Sequence, residues 1–401
     1  MRKFQPYKID TRNTVFLSRG KYYTIEGQLL SPEEVSNSRS NVIDMMEVDN
    51  MEVLNYKKDF DEIMKTLKIV DLPNHKYNFK NLLKHIIFSM VPNQEDIEPI
   101  EIDEIRFIND NINGNQPRYK TSRRLKLSEC QLLDVNSLFP QIFTKSISIP
   151  TSKAKFAHVD EIDMKKDDFG YYNLKVSFKN DLKYIYQDFD KIKKKKTHLQ
   201  TWYSKQDISA FNLYNVPYEL NMDGGPNKMY YDKIQRITYK YINDLYKLKI
   251  QENKNNLAKF IIKQIHGKMQ QHDFKQVDEI TKHSRLKHTE IVERGELYEY
   301  PTLARIKLII YPMNRLIMAK YCKELLDANI RIYRVATDSI MIPADCTLFD
   351  KYKHETKMGA FKDEIRKKFP EGTGEKEYDY NIKYYLATNL TPTIEKPKVK
   401  A

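Results

Sequence analysis

Residues 132–143 read LLDVNSLFPQIF, an apolar run that ends on a carboxylate and turns at once into a new element. No other stretch constrains the fold as tightly. Leu132, Leu133 and Val135 have the character of a buried strand, and Asn136 or Ser137 stands where a helix N-cap belongs. Asp134 then closes the strand, either as a solvated strand end or as a ligand for a metal ion. A second carboxylate occupies a comparable place far downstream. IRIYRV–ATDS–IMIP (330–343) predicts a strand–turn–strand hairpin with Asp338 at its turn.

The chain around these two segments has 401 residues, enough for two or three domains or one multilobed enzyme. With 40% hydrophobic and 31% charged residues it is a folded protein, not a disordered one. It is basic, with 68 Lys+Arg against 55 Asp+Glu and a net charge of +13, and it carries 28 Tyr. That combination suits a polyphosphate partner, with cations for the backbone and aromatics for bases. Cys130, Cys322 and Cys346 lie far apart with no CxxC pairing, which argues against a zinc site or a disulfide framework and for a reducing compartment. The opening MRKFQPYKIDTRN has no apolar core of a signal peptide, and no run approaches the roughly 18 apolar residues of a membrane span. A soluble cytoplasmic protein without membrane contact is expected.

Along the chain, residues 1–116 mix short β-like runs (Val15–Leu17, Tyr22–Ile25) with acidic stretches and helical patterning at 77–91. The polar NDNINGNQPRYKTSRR (109–124) marks a boundary. Residues 150–227 are β-rich, with alternation in YYNLKVSF, a lysine run KIKKKK (191–196) and a turn at MDGGPNK (222–228). Residues 229–271 read as two helices joined at QENKNN. In the second, Leu257, Phe260, Ile261 and Ile265 form an apolar stripe, while Lys259, Lys263 and His266 share another face. That basic stripe is either a solvated surface or a seat for a triphosphate. A further helix is expected at about 302–328.

Taken in order, these segments resemble the conserved motifs of family B DNA polymerases. DVNSLFP (134–140) matches the family's first palm motif, DxxSLYP, with Phe139 in the Tyr position; a chance match in a chain this long is expected roughly once in two thousand tries. KFIIKQIHG (259–267) aligns with the fingers motif KxxxNSxYG through Lys259 and Gly267. RVATDS (334–339) matches the second palm motif, YxDTDS, at Thr337, Asp338 and Ser339. KMGAFKDE (357–364) is similar to the segment that follows it, and Lys383–Tyr384–Tyr385 to the KxY primer-binding signature. The long gaps between the motifs are most like those of the protein-primed branch of phages and linear plasmids, whose members work in the host cytoplasm.

The resemblance implies an α+β fold: a right-hand palm of antiparallel sheet with helices, two-helix fingers, a divergent N-terminal region and a reduced or absent thumb. On this reading 1–116 is the N-terminal region of unknown role. Residues 117–228 are the first part of the palm, with an inserted subdomain near 180–215, and 229–271 are the fingers. A second insertion spans 272–300, the second part of the palm 301–378, and a remnant thumb or primer-binding segment with a tail 379–401.

It also implies nucleotidyl transfer with two Mg²⁺ ions, Mn²⁺ being a substitute, about 3.5–4 Å apart. Two bare carboxylates about 4 Å apart repel by about 4 kcal/mol at an effective dielectric of 20, so such a pair calls for a metal. Asp134 and Asp338 would be the catalytic metal ligands, joined by the Val135 carbonyl. Ser137, Leu138, Phe139, Lys247, Lys259 and His266 would bind the dNTP, with Lys249 open as the alternative to Lys247 and Phe139 either a sugar gate or a core aromatic. Thr337, Ser339, Lys383, Tyr385 and Arg315 would meet primer or template.

Three departures bear on function. Ala336 replaces the first Asp of the family's DTD, and Lys263, Gln264 and His266 replace the fingers' Asn, Ser and Tyr. No DxE motif stands near the start of the chain, where the family's proofreading domain carries it, so proofreading is expected to be absent. Little chain follows Tyr385. The implied partners are primer–template DNA, dNTPs, a terminal (priming) protein and a second chain supplying exonuclease or thumb functions. Two further readings stand beside the polymerase: a catalytically degenerate, DNA-binding replisome subunit, and a primase-like enzyme that makes RNA.

Overall fold

The computed structural model describes residues 14–18, 21–24, 27–37, 41–44, 52–70, 72, 77–91, 94–112, 117–120, 125–145, 147–163, 170–177, 180–186, 199–269, 301–369 and 377–378. Its centre is a five-stranded antiparallel sheet in the order Phe361–Asp363, Cys130–Val135, Ser339–Pro343, Arg334–Ala336, Arg118–Lys120. Strand Cys130–Val135 is covered on both faces, and its period-two alternation sorts its side chains. Leu133 and Val135 enter the main core, whereas Cys130 and Leu132 join Leu125, Leu127, Met341 and Ile365 in a smaller cluster on the other face. Asp134 follows on that second face, where the apolar cover ends.

A second five-stranded sheet is built on Gly170–Val176, which pairs with Leu199–Ser204 on one side and with Lys228–Tyr230 and Tyr218–Leu220 on the other. Gly224 and Gly225 take positive φ in the intervening turn, as the sequence predicts. Helix Lys205–Leu213 packs against the long helix Lys307–Asp327, which also meets helix Leu138–Thr144 behind the central sheet. Pro312 lies inside the long helix, within its first two turns.

The expected pair of helices is present as Lys240–Ile250 and Asn256–Met269, joined where expected. The residues before them differ: Lys228–Tyr230 and Ile234–Arg236 are strands, the latter paired with Ser148–Pro150. The later helix begins at Lys307, after a 3₁₀ segment Pro301–Ile306. The segment near 180–215 is woven into the second sheet and the core through buried Tyr203, Asp207 and Phe211. The lysine run and residues 272–300 lie outside the described residues.

The N-terminal region, of unknown role from sequence, packs on the helical pair. Helices Val53–Leu67 and Phe79–Met90 both lie against Asn256–Met269 and Lys240–Ile250. Buried Asp59 accepts through Oδ2 from the N–H groups of Asn256 (2.8 Å) and Leu257 (3.1 Å), so a residue from a distant helix caps the second helix of the pair. A second tie is the buried Glu104 carboxylate, which receives Arg305 Nε (2.6 Å) and Nη2 (3.0 Å) and the Tyr231 hydroxyl (2.7 Å).

The architecture is thus mixed helix and sheet with antiparallel sheets; the parallel pair Thr14–Ser18 and Asn41–Asp44 belongs to a small sheet of its own. Among the described residues, no helix is long and apolar enough to cross a membrane.

Candidate functional site

The hairpin and the central strand bring the two carboxylates together. Ser339 pairs with Asp134 across the sheet, and the Val135 N–H donates to the Asp338 carbonyl (2.9 Å). Thr337 takes a left-handed conformation (φ 54°) to make the hairpin turn, and its N–H donates to the Pro117 carbonyl (2.8 Å). The Ser339 hydroxyl closes the same turn by donating to the Ala336 carbonyl (3.1 Å). Burial raises both Asp134 and Asp338 above the usual carboxylate range. For Asp338 the Asp134 charge adds to burial, and its carboxyl is pushed up to about 7. Two half-buried carboxylates, one raised by the charge of the other, fit a hard divalent cation.

A cation from the chain is already beside them. Lys362, directly across from Asp134 on the neighbouring strand, places Nζ 3.0 Å from Asp134 Oδ2 and 2.7 Å from Glu364 Oε1. Burial works against its charge, yet Asp134 and Glu364 hold the ammonium up at about 12. Among the described residues, no group of three or more His, Cys, Asp or Glu is arranged to hold a metal ion.

The turn after Asp134 carries the second half of the site. Ser137 stands at the N-cap position of Leu138–Thr144 in a left-handed conformation (φ 55°), and its side chain does not cap the helix. Its Oγ instead accepts from Lys249 Nζ (2.7 Å), as does Asn136 Oδ1 (3.1 Å). Buried Asn136 also donates through Nδ2 to the Tyr246 hydroxyl (2.8 Å), which donates to the Thr356 carbonyl (2.6 Å). Its own carbonyl accepts from the Gly359 N–H (2.8 Å). Asn136 therefore pins the turn both to the helical pair and to the segment leading into strand Phe361–Asp363. Gly359 has φ 80°, which strains any side-chain-bearing residue, and a Cβ there would stand 1.8–2.5 Å from the Gln141 amide, which would have to move.

Lys249 is the lysine of the first helix that reaches this turn. Burial, together with the charges of Lys362, Lys259 and Lys263, pushes it down to about 8. Lys247 does not reach it: two residues along a helix is about 200° of rotation. Its ammonium is exposed beside Asp244 (3.2 Å), so of the two candidates it is Lys249, not Lys247, that stands at the turn. Lys259 and Lys263 are exposed on the second helix, and their charges converge on Lys249.

Arg315 is a second correction. It is buried, with Nε and Nη2 donating to the two oxygens of buried Asp207 (2.7 and 2.8 Å), which leaves the guanidinium no route to a template. Asp207 also accepts from the Tyr186 and Ser204 hydroxyls. Leu138 is buried, so only its backbone faces the turn, and half-buried Phe139 packs against the main core. Lys383 and Tyr385, and the side chain of His266, lie outside the described residues.

Lys362, Glu364 and Tyr246 were not singled out by sequence reasoning, and Asn136 only as a candidate N-cap. KMGAFKDE contained the first two, and the signal available was their position, two charged residues in a segment already placed next to the site.

No family model matches this chain, and no curated protein matches it. Solved structures of Phi29 DNA polymerase are similar to it. The complex with primer-template DNA and incoming nucleotide substrates shares 14% identity at a TM-score of 0.48, covering 90% of this chain and 61% of that one. The complex with single-stranded DNA shares 15% at 0.48, covering 78% of this chain and 53% of that one. This chain thus spans about three fifths of the length of the first of these.

Proposed function

We propose that this chain is a DNA-directed DNA polymerase that adds dNTPs to a primer 3′-hydroxyl, from a protein primer. The observation that carries the reading is the pairing of Asp134 with the Asp338 hairpin beside Lys249, on which the charges of Lys259 and Lys263 bear. The motif resemblance supports it at Asp134, Ser137, Leu138, Pro140, Lys259, Gly267, Thr337, Asp338 and Ser339. On this reading the central sheet is the palm and Lys240–Ile250 with Asn256–Met269 the fingers.

Asp134 and Asp338 would hold divalent metal, Mg²⁺ or Mn²⁺, with the Val135 carbonyl as a further ligand. Bound there, such ions neutralise charge on the attacking and leaving oxygens. The chain's own groups do the rest. Lys249, fixed on Ser137 and Asn136, and Lys259 and Lys263 would face the triphosphate as point charges. Phe139 would lie under the sugar and exclude a 2′-hydroxyl. Thr337 and Ser339 shape the hairpin and would act on primer through it.

Primer extension with Mg²⁺ or Mn²⁺, offering dNTPs and rNTPs separately, tests the reading. Extension by the wild type and its loss in Asp134→Asn and in Asp338→Asn is the expected result. One observation favours a second reading: Asp134 is held by Lys362. A non-catalytic DNA-binding subunit would show no extension with either metal while retaining affinity for DNA.

A further inference from the structure

We propose that the Lys362 ammonium fills a cation position beside Asp134 and so excludes one divalent ion from the site. The inference rests on the metal-dependent reading above and deepens it. Lys362 and Asp134 are cross-strand partners, so their side chains rise from the same face of the sheet. The ammonium lies between two carboxylates, one near the end of strand Cys130–Val135 and one on the first residue of helix Glu364–Lys368, at 3.0 Å from Asp134 and 2.7 Å from Glu364. It is not a solvated surface pair: the Lys362 side chain is 22% exposed and each carboxylate 26%.

Charge bookkeeping leads to the same place. Asp134, Asp338 and Glu364 supply three negative charges, and Lys362 returns one positive. A single divalent ion on Asp134 and Asp338 brings the group to neutrality. A second would leave it doubly positive next to Lys249, whose charge Lys259 and Lys263 already oppose. Ammonium and divalent cation need the same carboxylate oxygens, so they compete for one place.

Mn²⁺ titration of the full chain without nucleotide, read by the electron paramagnetic resonance of free Mn²⁺, counts the ions. Lys362→Met is expected to bind one more Mn²⁺ than wild type, and Lys362→Arg the wild-type number. Adding Glu364→Gln to Lys362→Met should remove the extra ion, since it takes away the second carboxylate. Circular dichroism confirms that each variant is folded, and Lys362→Gln serves as a second neutral variant.

Equal counts and affinities in wild type, Lys362→Met and Lys362→Gln would overturn the proposal, and so would two ions on the wild type. The polymerase reading is tested separately by whether Asp338→Asn removes the wild-type ion. No ion on wild type with one on Lys362→Met would uphold the lysine's role and sink the Asp134–Asp338 metal site.

Discussion

Asp59→Ala tests whether the N-terminal region orders the helix that carries Lys259 and Lys263. Asp59 is 8% exposed and accepts from the N–H groups of Asn256 and Leu257 with one oxygen, at the positive end of helix Asn256–Met269. Losing an N-cap acceptor costs about 0.5–2 kcal/mol. Loss of the charge at the helix end adds about 0.3–1 kcal/mol. Burial acts in the opposite sense, since it raises the Asp59 carboxyl above its ordinary range despite the two donors. Taking about 2 kcal/mol as the net effect, exchange of the helix amides should speed up roughly thirtyfold if opening is local.

Hydrogen exchange read by mass spectrometry on peptides covering 251–269 is the assay. Asp59→Asn separates the contributions, because it keeps an acceptor but removes the buried charge. A carboxylate whose folded pKa is raised lowers stability as pH climbs above the ordinary aspartate range. Asp59→Asn should therefore gain on wild type as pH rises, and should cost far less than Asp59→Ala near neutrality. Unchanged exchange over 251–269 in Asp59→Ala, or equal damage from Asn and Ala, would refute the reasoning.

The same linkage applies to Asp338, whose carboxyl stands at about 7: in metal-free buffer, Asp338→Asn should melt above wild type at pH 8, and the gap should shrink as pH falls through 7 toward 4. Phe139→Ala should raise rNTP use relative to dNTP in primer extension; an unchanged ratio with lowered stability would make Phe139 a core residue. Gly359→Ala should destabilise the fold by about 1–3 kcal/mol through backbone strain, measured by denaturant melting, and Gln141→Ala should recover only the part due to the clash. Arg315→Met should cost about 3–5 kcal/mol by stranding buried Asp207, and at temperatures where it stays folded it should leave the salt dependence of DNA binding unchanged.

The site's skeleton was legible because its signals are local. A strand that ends on Asp134 and turns at Asn136–Ser137, and a hairpin turning at Asp338, follow from alternation and turn chemistry within a dozen residues. Their meeting is also legible, since two apolar strands flanked by helices pair most simply in one antiparallel sheet. Arg315 was misplaced for a reason of the same kind. An arginine in a helix reads as a surface cation, and its partner Asp207 lies over a hundred residues away in a segment expected to be an insertion.

Lys247 and Lys249 show where local reading stops. Both lysines sit in a helix whose existence the sequence predicts, and the choice between them depends on which way the helix is rotated against the Asp134 strand. That rotation is set by Asn136 and Tyr246, whose mutual hydrogen bond joins segments 110 residues apart. Neither residue type announces such a role. The same holds for Lys362. A lysine in a short strand is ordinarily solvated, and only the register of Phe361–Asp363 against Cys130–Val135 sets it across from Asp134. A shift of one residue would put Phe361 or Asp363 there instead and turn Lys362 toward the core. The Asn136 carbonyl and the φ 80° of Gly359 hold that register at the turn just ahead of the strand. The electrostatics of the candidate metal site are therefore fixed by a glycine and an asparagine that carry no charge.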